Sequence, residues 1–305
     1  MAIFVGTSGW RYDGWRRKFY PKTVPQHAEL SYMASRVTSI EINGSFYALQ
    51  RPESYRAWCE ATPPGFVFSV KGSRFITHMK KLRDVETPLA NFFASGVLAL
   101  QDKLGPFLWQ FPEQFAFDEG RFSDFFAMLP RDTRAAKRLA RRHDDLVAGR
   151  CFLSPKSVAP LRHAVEIRSR TFCTPRFIEL LRQHGIALVV ADTAGRWPLC
   201  EDVTADFVYV RLHGDAELYT SGYTDRALDD WSARISAWAS GREPAGARTI
   251  SGKARRHGSR DVYVYFDNDA KVHAPFDAMR MIERVSPRPK SAARPRRLRD
   301  RRTPS

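Results

Sequence analysis

The stretch FVYVRLH, residues 207–213, alternates apolar Val208, Val210 and Leu212 with Tyr209, Arg211 and His213. Successive side chains of a strand point to opposite faces, so one face of this segment meets an apolar layer while the other carries a ring, a guanidinium and an imidazole. The same parity recurs at 39–43, where Ile40 and Ile42 alternate with Glu41 and Asn43, and at 164–168, where Val165 and Ile167 alternate with Glu166 and Arg168. With β-rich runs at 3–8, 66–71, 107–111, 187–192 and 262–267, eight strands are predicted.

Between them, apolar residues recur at helical spacing: Leu89/Phe92/Phe93 with Leu100, Phe122/Phe125/Phe126/Leu129, Phe177/Leu180/Leu181, Leu228/Trp231/Ile235/Trp238 and Phe276/Met279/Ile282. These stripes are read as core. Helix starts are marked at Pro52, Pro88, Thr174-Pro175 and Thr224-Asp225. Eight β-then-α units within residues 1–285 predict an α/β chain folded as one (β/α)8 barrel. The competing doubly wound open sheet finds no G-x-G-x-x-G after the first strand.

In a barrel the apolar parity faces the helices and the other parity faces the interior. Lys71, Gln110, Asp192 and Asp267 join the interior set by the same argument at the C-terminal strand ends, where barrel enzymes keep their sites. A mouth with Glu41, Glu166, Asp192 and Asp267 against Lys71, Arg168 and Arg211 holds more charge than packing requires, because buried charge is costly unless paired or used.

That mouth predicts acid-base chemistry. Glu166 and Glu41 are the expected carboxylate pair, one raised in pKa by the other, with His213 available for proton transfer. Arg168, Arg211 and Lys71 are expected to neutralise a phosphate or carboxylate. The amides of Gly6 and Gly9, with Thr7 and Ser8, form a candidate anion nest. Asn43, Gln110, Asp192 and Asn268 complete the expected polar contacts to substrate. Trp10, Tyr12, Trp15, Phe46, Tyr47, Trp109, Trp197, Tyr219 and Tyr223 supply rings near the mouth, about half of them read as core and the rest able to stack on bases or sugars.

The motifs GTSGW (6–10) with Tyr12 and Trp15, EINGSFY (41–47), WQFP (109–112), AVEIR (164–168), YVRLHG (209–214), YTSGY (219–223) and YFDND (265–269) resemble, in order, those of the YecE-like family, the domain of unknown function numbered 72. The likeness runs from residue 3 to about 285. It implies a barrel of the triosephosphate-isomerase type and brings no assigned activity with it. Ser169-Arg170-Thr171-Phe172 stands where the family often has His and then Trp, and Asp267 where it usually has Asn. The Arg-rich stretch 131–150 and the C-terminal tail read as additions.

The chain of 305 residues carries a formal charge of +16. From residue 286 onward eight Lys and Arg face only Asp300 among prolines. This tail is predicted to be disordered and to attract nucleic acid or anionic surfaces. Arg134, Lys137, Arg138, Arg141 and Arg142 follow near-helical spacing and are candidates for a basic face beside the mouth. Cys59, Cys151, Cys173 and Cys200 lie far apart with no C-x-x-C pair, so no zinc or redox motif is expected. The absence of a long apolar run or a signal-like start predicts a cytoplasmic protein with no membrane partner. No cofactor is expected, although a single Mg²⁺ on Asp267, Asp269 or Asp192 stays open. The two readings are an enzyme acting on a small anionic, phosphorylated or sugar-containing substrate, and a nucleic-acid-binding, nuclease-like barrel.

Overall fold

The structure, a computed structural model, describes residues 1–252 and 258–286. All but the first residue of the basic tail lies outside the described residues. Eight strands, β1 (Ile3–Ser8), β2 (Ser39–Ile42), β3 (Val67–Lys71), β4 (Leu104–Gln110), β5 (His163–Glu166), β6 (Ala187–Asp192), β7 (Phe207–Leu212) and β8 (Asp261–Phe266), pair in parallel with their sequence neighbours. The pairing of β8 with β1 closes the barrel.

The helices are α1 (Glu29–Ala34), α2 (Gly44–Tyr47), α3 (Pro52–Glu60), α4 (Glu86–Ala94), α5 (Glu119–Met128), α6 (Thr133–Ala140), α7 (Pro175–Gln183), α8 (Asp225–Ala239) and α9 (His273–Val285). Their starts are set locally. Pro52 and Pro175 occupy first-turn positions, and Asp118, Asp132, Thr174 and Thr224 each accept a backbone N–H of the following turn. Phe92, Phe107, Trp109, Phe122, Phe125 and Phe177 are fully buried between strands and helices, many of the rings meeting edge to face.

Two details differ from the sequence reading. Of the stripe Phe276/Met279/Ile282, Met279 and Ile282 pack partly buried against the core but Phe276 is 45% exposed, and the fully buried residues of α9 include Ala274, Ala278 and Met281. In the i, i+4, i+7 row two alanines, Ala274 and Ala278, let the helix approach the sheet before Met281. Second, β6 and β7 are joined by an irregular loop, 193–206, so the sixth unit lacks its helix, whereas α5 and α6 both follow β4. Where the missing helix would lie, a cavity of about 600 Å³ opens between the loops after β5 and β6 and the side of α8.

The interior is layered. Phe4, Phe207 and Tyr263 pack with Ala187 and Val189. Above them the hydroxyl pairs Ser39/Tyr265 and Ser69/Tyr209, each 2.7 Å apart, satisfy one another. The charged layer follows. Gly6 lets β1 press on β2: a Cβ there would lie 1.7 Å from the Ser39 carbonyl oxygen.

Candidate active site

The interior parity of β7 points Arg211, fully buried, at the centre of the charged layer. Its Nε and Nη2 reach the two Glu41 oxygens at 3.1 and 2.9 Å, Nη1 reaches Glu166 Oε2 at 2.5 Å, and Nη2 also reaches Asp267 Oδ2 at 2.9 Å and Ser8 Oγ at 3.0 Å. Glu41 accepts further bonds from Ser8 (2.7 Å) and Tyr209 (2.6 Å). Arg168 donates to Glu166 Oε1 at 3.1 Å and to the Tyr219 hydroxyl at 3.1 Å, with its guanidinium 3.7 Å over the Trp197 ring. His213 places Nδ1 3.1 Å from Asp267 Oδ2 and Nε2 3.9 Å from Glu166 Oε2.

This network corrects the expected carboxylate pair. Burial alone raises the Glu166 carboxyl, but Arg211 and then Arg168 outweigh it and hold it below the usual carboxylate range. Asp267 is held at about 2, burial again being outweighed by Arg211 and by His213. Arg211 lies between Glu41 and Glu166, so Glu166 is held down rather than lifted by its neighbour. Glu41, Glu166, Arg211 and His213 are at most 1% exposed at their side chains and form the floor of the mouth.

Above the floor is a cavity of about 540 Å³. Of the residues expected in the site, Tyr12, Asn43, Tyr47, Lys71, Gln110 and Arg168 line it, as do Asp267, Asp269, Phe46 and Tyr219. Arg74, His78 and Met79 line it too and were missed. His78 and Met79 come from Phe75–Met79, a single π-helical turn after β3, and Arg74 immediately precedes it. Such turns recur at functional sites and have no hydrophobic period to read. Burial, then Lys71 and Arg168, push the His78 imidazole down to about 4, so it is neutral at pH 7. Burial and then Arg211 push the Lys71 ammonium down to about 8, while burial and then Asp267 push the Asp269 carboxyl up to about 6.

Five expected contacts lie elsewhere. Thr7 has the outward parity, and its hydroxyl donates to the Gly9 carbonyl at 2.6 Å. The strands also dissolve the anion nest, since β1 pairs on both sides and the Gly9 amide donates to the Glu41 carbonyl at 2.8 Å. Trp10 packs edge-on against Trp58. Asp192 belongs to the outward parity of β6, because Ala187, Val189 and Ala191 fill the interior. It accepts from the Tyr223 hydroxyl (3.0 Å) and Trp231 Nε1 (3.2 Å) beside the second cavity. Tyr223 is thereby buried outside the mouth. Asn268 donates to Ser221 O and Asp277 Oδ2, both at 2.9 Å, and ties the β8 loop to α9.

Among the described residues no group of three or more His, Cys, Asp or Glu side chains is arranged to hold a metal. Of the carboxylates considered for Mg²⁺, Asp192 faces away from Asp267 and Asp269. The basic residues of α6 lie on its outer side; Ala136 and Ala140 face inward, and Arg142 pairs with Glu86 at the start of α4. Cys173 and Cys200, distant in sequence, bring their sulfurs to 3.8 Å at the second cavity. No helix among the described residues is long and apolar enough to cross a membrane.

A parallel eight-stranded barrel with a charged layer under its C-terminal mouth defines a TIM-type barrel. Residues 4–301 match the family model described as "Protein of unknown function DUF72", and the chain belongs to that family. The chain is similar to a DUF72 family protein from Thermotoga maritima (TM-score 0.67, 23% identity, 93% of this chain and 98% of that one). It is also similar to one from Enterococcus faecalis (TM-score 0.63, 19% identity, 93% and 95%). A 118-residue stretch is 29% identical to the UPF0759 protein YunF of Bacillus subtilis, 37% of this chain and 41% of that protein; the match thus spans about two-fifths of the relative's length.

Proposed function

We propose that this barrel is an enzyme acting on a small anionic, phosphorylated or sugar-containing substrate by acid-base chemistry in the mouth cavity. The observation that carries this reading is the wall of the cavity, where Lys71, Arg74 and Arg168 meet Asp267 and Asp269 around a space of metabolite size. Arg74 is exposed and has no carboxylate partner among the described residues, so it is free to take the anionic group. Asp269, with a pKa near 6, suits a proton donor close to neutral pH, and Lys71, near 8, suits an acceptor. Glu41, Glu166 and Arg211 position these groups from below. The alternative, a nucleic-acid ligand, is favoured by one feature, the rim ring of Tyr47, 68% exposed with the Arg74 guanidinium 5.8 Å from its centroid.

Thermal denaturation of the full chain against phosphorylated sugars, sugar acids and short single-stranded DNA and RNA tests both. A ligand at about a hundred times its Kd adds about 2.7 kcal/mol. A sugar phosphate or sugar acid is expected to raise Tm, and Arg74→Ala to remove most of the rise. A rise with nucleic acid alone, lost in the same variant, would favour the second reading, and no rise with any of them would contradict both.

A further inference from the structure

We propose that Lys71 is a Schiff-base residue, forming an imine with the carbonyl carbon of a small anionic aldehyde or keto acid held in the mouth cavity. This deepens the reading of the cavity as an anion site and rests on it.

Two buried lysines differ sharply in their partners. Lys103 is saturated, its Nζ donating to Cys59 O and Thr62 O at 2.6 Å and to Thr62 Oγ1 at 3.1 Å, as a structural ammonium should be. Lys71, equally buried at 8% exposure, has neither an acceptor nor an ion-pair partner for Nζ among the described residues. The carboxylates of the mouth are engaged by Arg211 and Arg168 instead. Nζ lies 4.5 Å over the Phe46 ring, in the cavity wall. The ring face favours the ammonium, but burial and then the Arg211 guanidinium push the amine toward its neutral form, which is the nucleophile.

The chemistry balances with the groups present. The Nζ lone pair attacks the carbonyl carbon, a C–N bond forms as the C=O π bond breaks, and one proton passes from the nitrogen to the oxygen to give the neutral carbinolamine. Asp269, protonated up to about pH 6, gives a proton to that hydroxyl, which leaves as water. The nitrogen releases a proton as the C=N bond forms, restoring the acid. No oxidant, reductant or further co-reactant is required. Arg74 and Arg168 hold the anionic end of the same molecule, which is why a charged carbonyl compound is the expected class.

The test uses the full chain with glyoxylate and with glycolaldehyde phosphate, each with cyanoborohydride at pH 7.5, followed by peptide mapping. Lys71 is expected to be alkylated at least about ten-fold faster than the exposed Lys18 and Lys22. The melting temperature of the chain with each probe, without reductant, is measured in parallel. Stabilisation by a probe with Lys71 labelled no faster than Lys18 and Lys22 overturns the imine and leaves the anion site standing. Neither stabilisation nor selective labelling overturns both. Because labelling is read on the unaltered chain, no variant has to fold.

Discussion

Arg211 holds Glu41 with two parallel hydrogen bonds, Nε to Oε2 and Nη2 to Oε1, inside a barrel where neither side chain is exposed. Such a fork fixes direction as well as charge. The two residues come from strands far apart in sequence, β2 and β7, so the pair sets the geometry of the mouth floor across the barrel. Arg211→Met leaves Glu41, Glu166 and Asp267 buried together, and should cost about 3–5 kcal/mol of stability. Arg211→Lys keeps the charge but cannot span both Glu41 oxygens and should also destabilise. Urea unfolding measures both, and a loss below about 1 kcal/mol for Arg211→Met would contradict the account.

Gly6→Ala tests the β1–β2 contact. A methyl 1.7 Å from a backbone carbonyl oxygen cannot be relieved by a side-chain rotation, so the strands must separate. The variant should lose at least about 3 kcal/mol or fail to accumulate as folded protein. Gly14→Ala serves as control for the loss of a glycine alone, since its Cβ would meet nothing within 4 Å and its φ is not positive.

Acid should unfold the chain earlier than its surface ion pairs would suggest. His163 is buried between Trp109 and the Pro130 carbonyl, and burial lowers its pKa to about 3 from an ordinary 6.5. The unfolded chain therefore binds a proton that the fold refuses, and stability falls as pH drops from 6.5 toward 3. Glu166 and Asp267, depressed by Arg211, add to the loss below about pH 4.5. Asp267 alone accounts for about 2 kcal/mol between its ordinary range and pH 2. Denaturant midpoints should decline from pH 7 to 3, less steeply between about pH 6 and 4 where Asp269 opposes the loss; in the Asp269→Asn variant, a flat profile down to pH 4 would be inconsistent with a neutral buried His163.

Asp269 works in the opposite sense. Its folded pKa is raised to about 6, so the fold favours the protonated form and this contribution is lost as pH rises from about 4 through 6. Asp269→Asn should leave stability at pH 4 little changed and increase it at pH 8 by about 1–2 kcal/mol. The difference between the two pH values is the diagnostic quantity. Equal effects at both would mean that Asp269 titrates normally.

Much of the barrel was legible because parity and spacing are local signals. All eight strands lie where alternating Val, Ile and Phe placed them, and Glu41, Glu166, Lys71, Gln110 and Arg211 face inward as expected. Asp192 was misplaced by the rule that a polar strand end faces inward. On β6 the interior positions are Ala187, Val189 and Ala191, as apolar as the outward ones, so parity carried no information there. The depth of Glu41 and Glu166 was illegible too. Whether a strand-end carboxylate lines a cavity or lies beneath it depends on how many donors converge from other strands, and that is a property of closure. His78, Arg74 and the Cys173–Cys200 approach depend on loops whose course no periodicity encodes.

The most direct test of the mouth as a reactive anion site is the titration of Lys71 itself. Competitive acetylation of the full chain from pH 6 to 11, mapped by peptide, gives the protonation curve of each lysine. Lys71 is expected to reach half-reaction near pH 8, well below the ordinary lysine value of about 10.4. A Lys71 curve coincident with those of Lys18 and Lys22 would mean that its amine is charged and solvated at neutral pH, and would contradict the central claim.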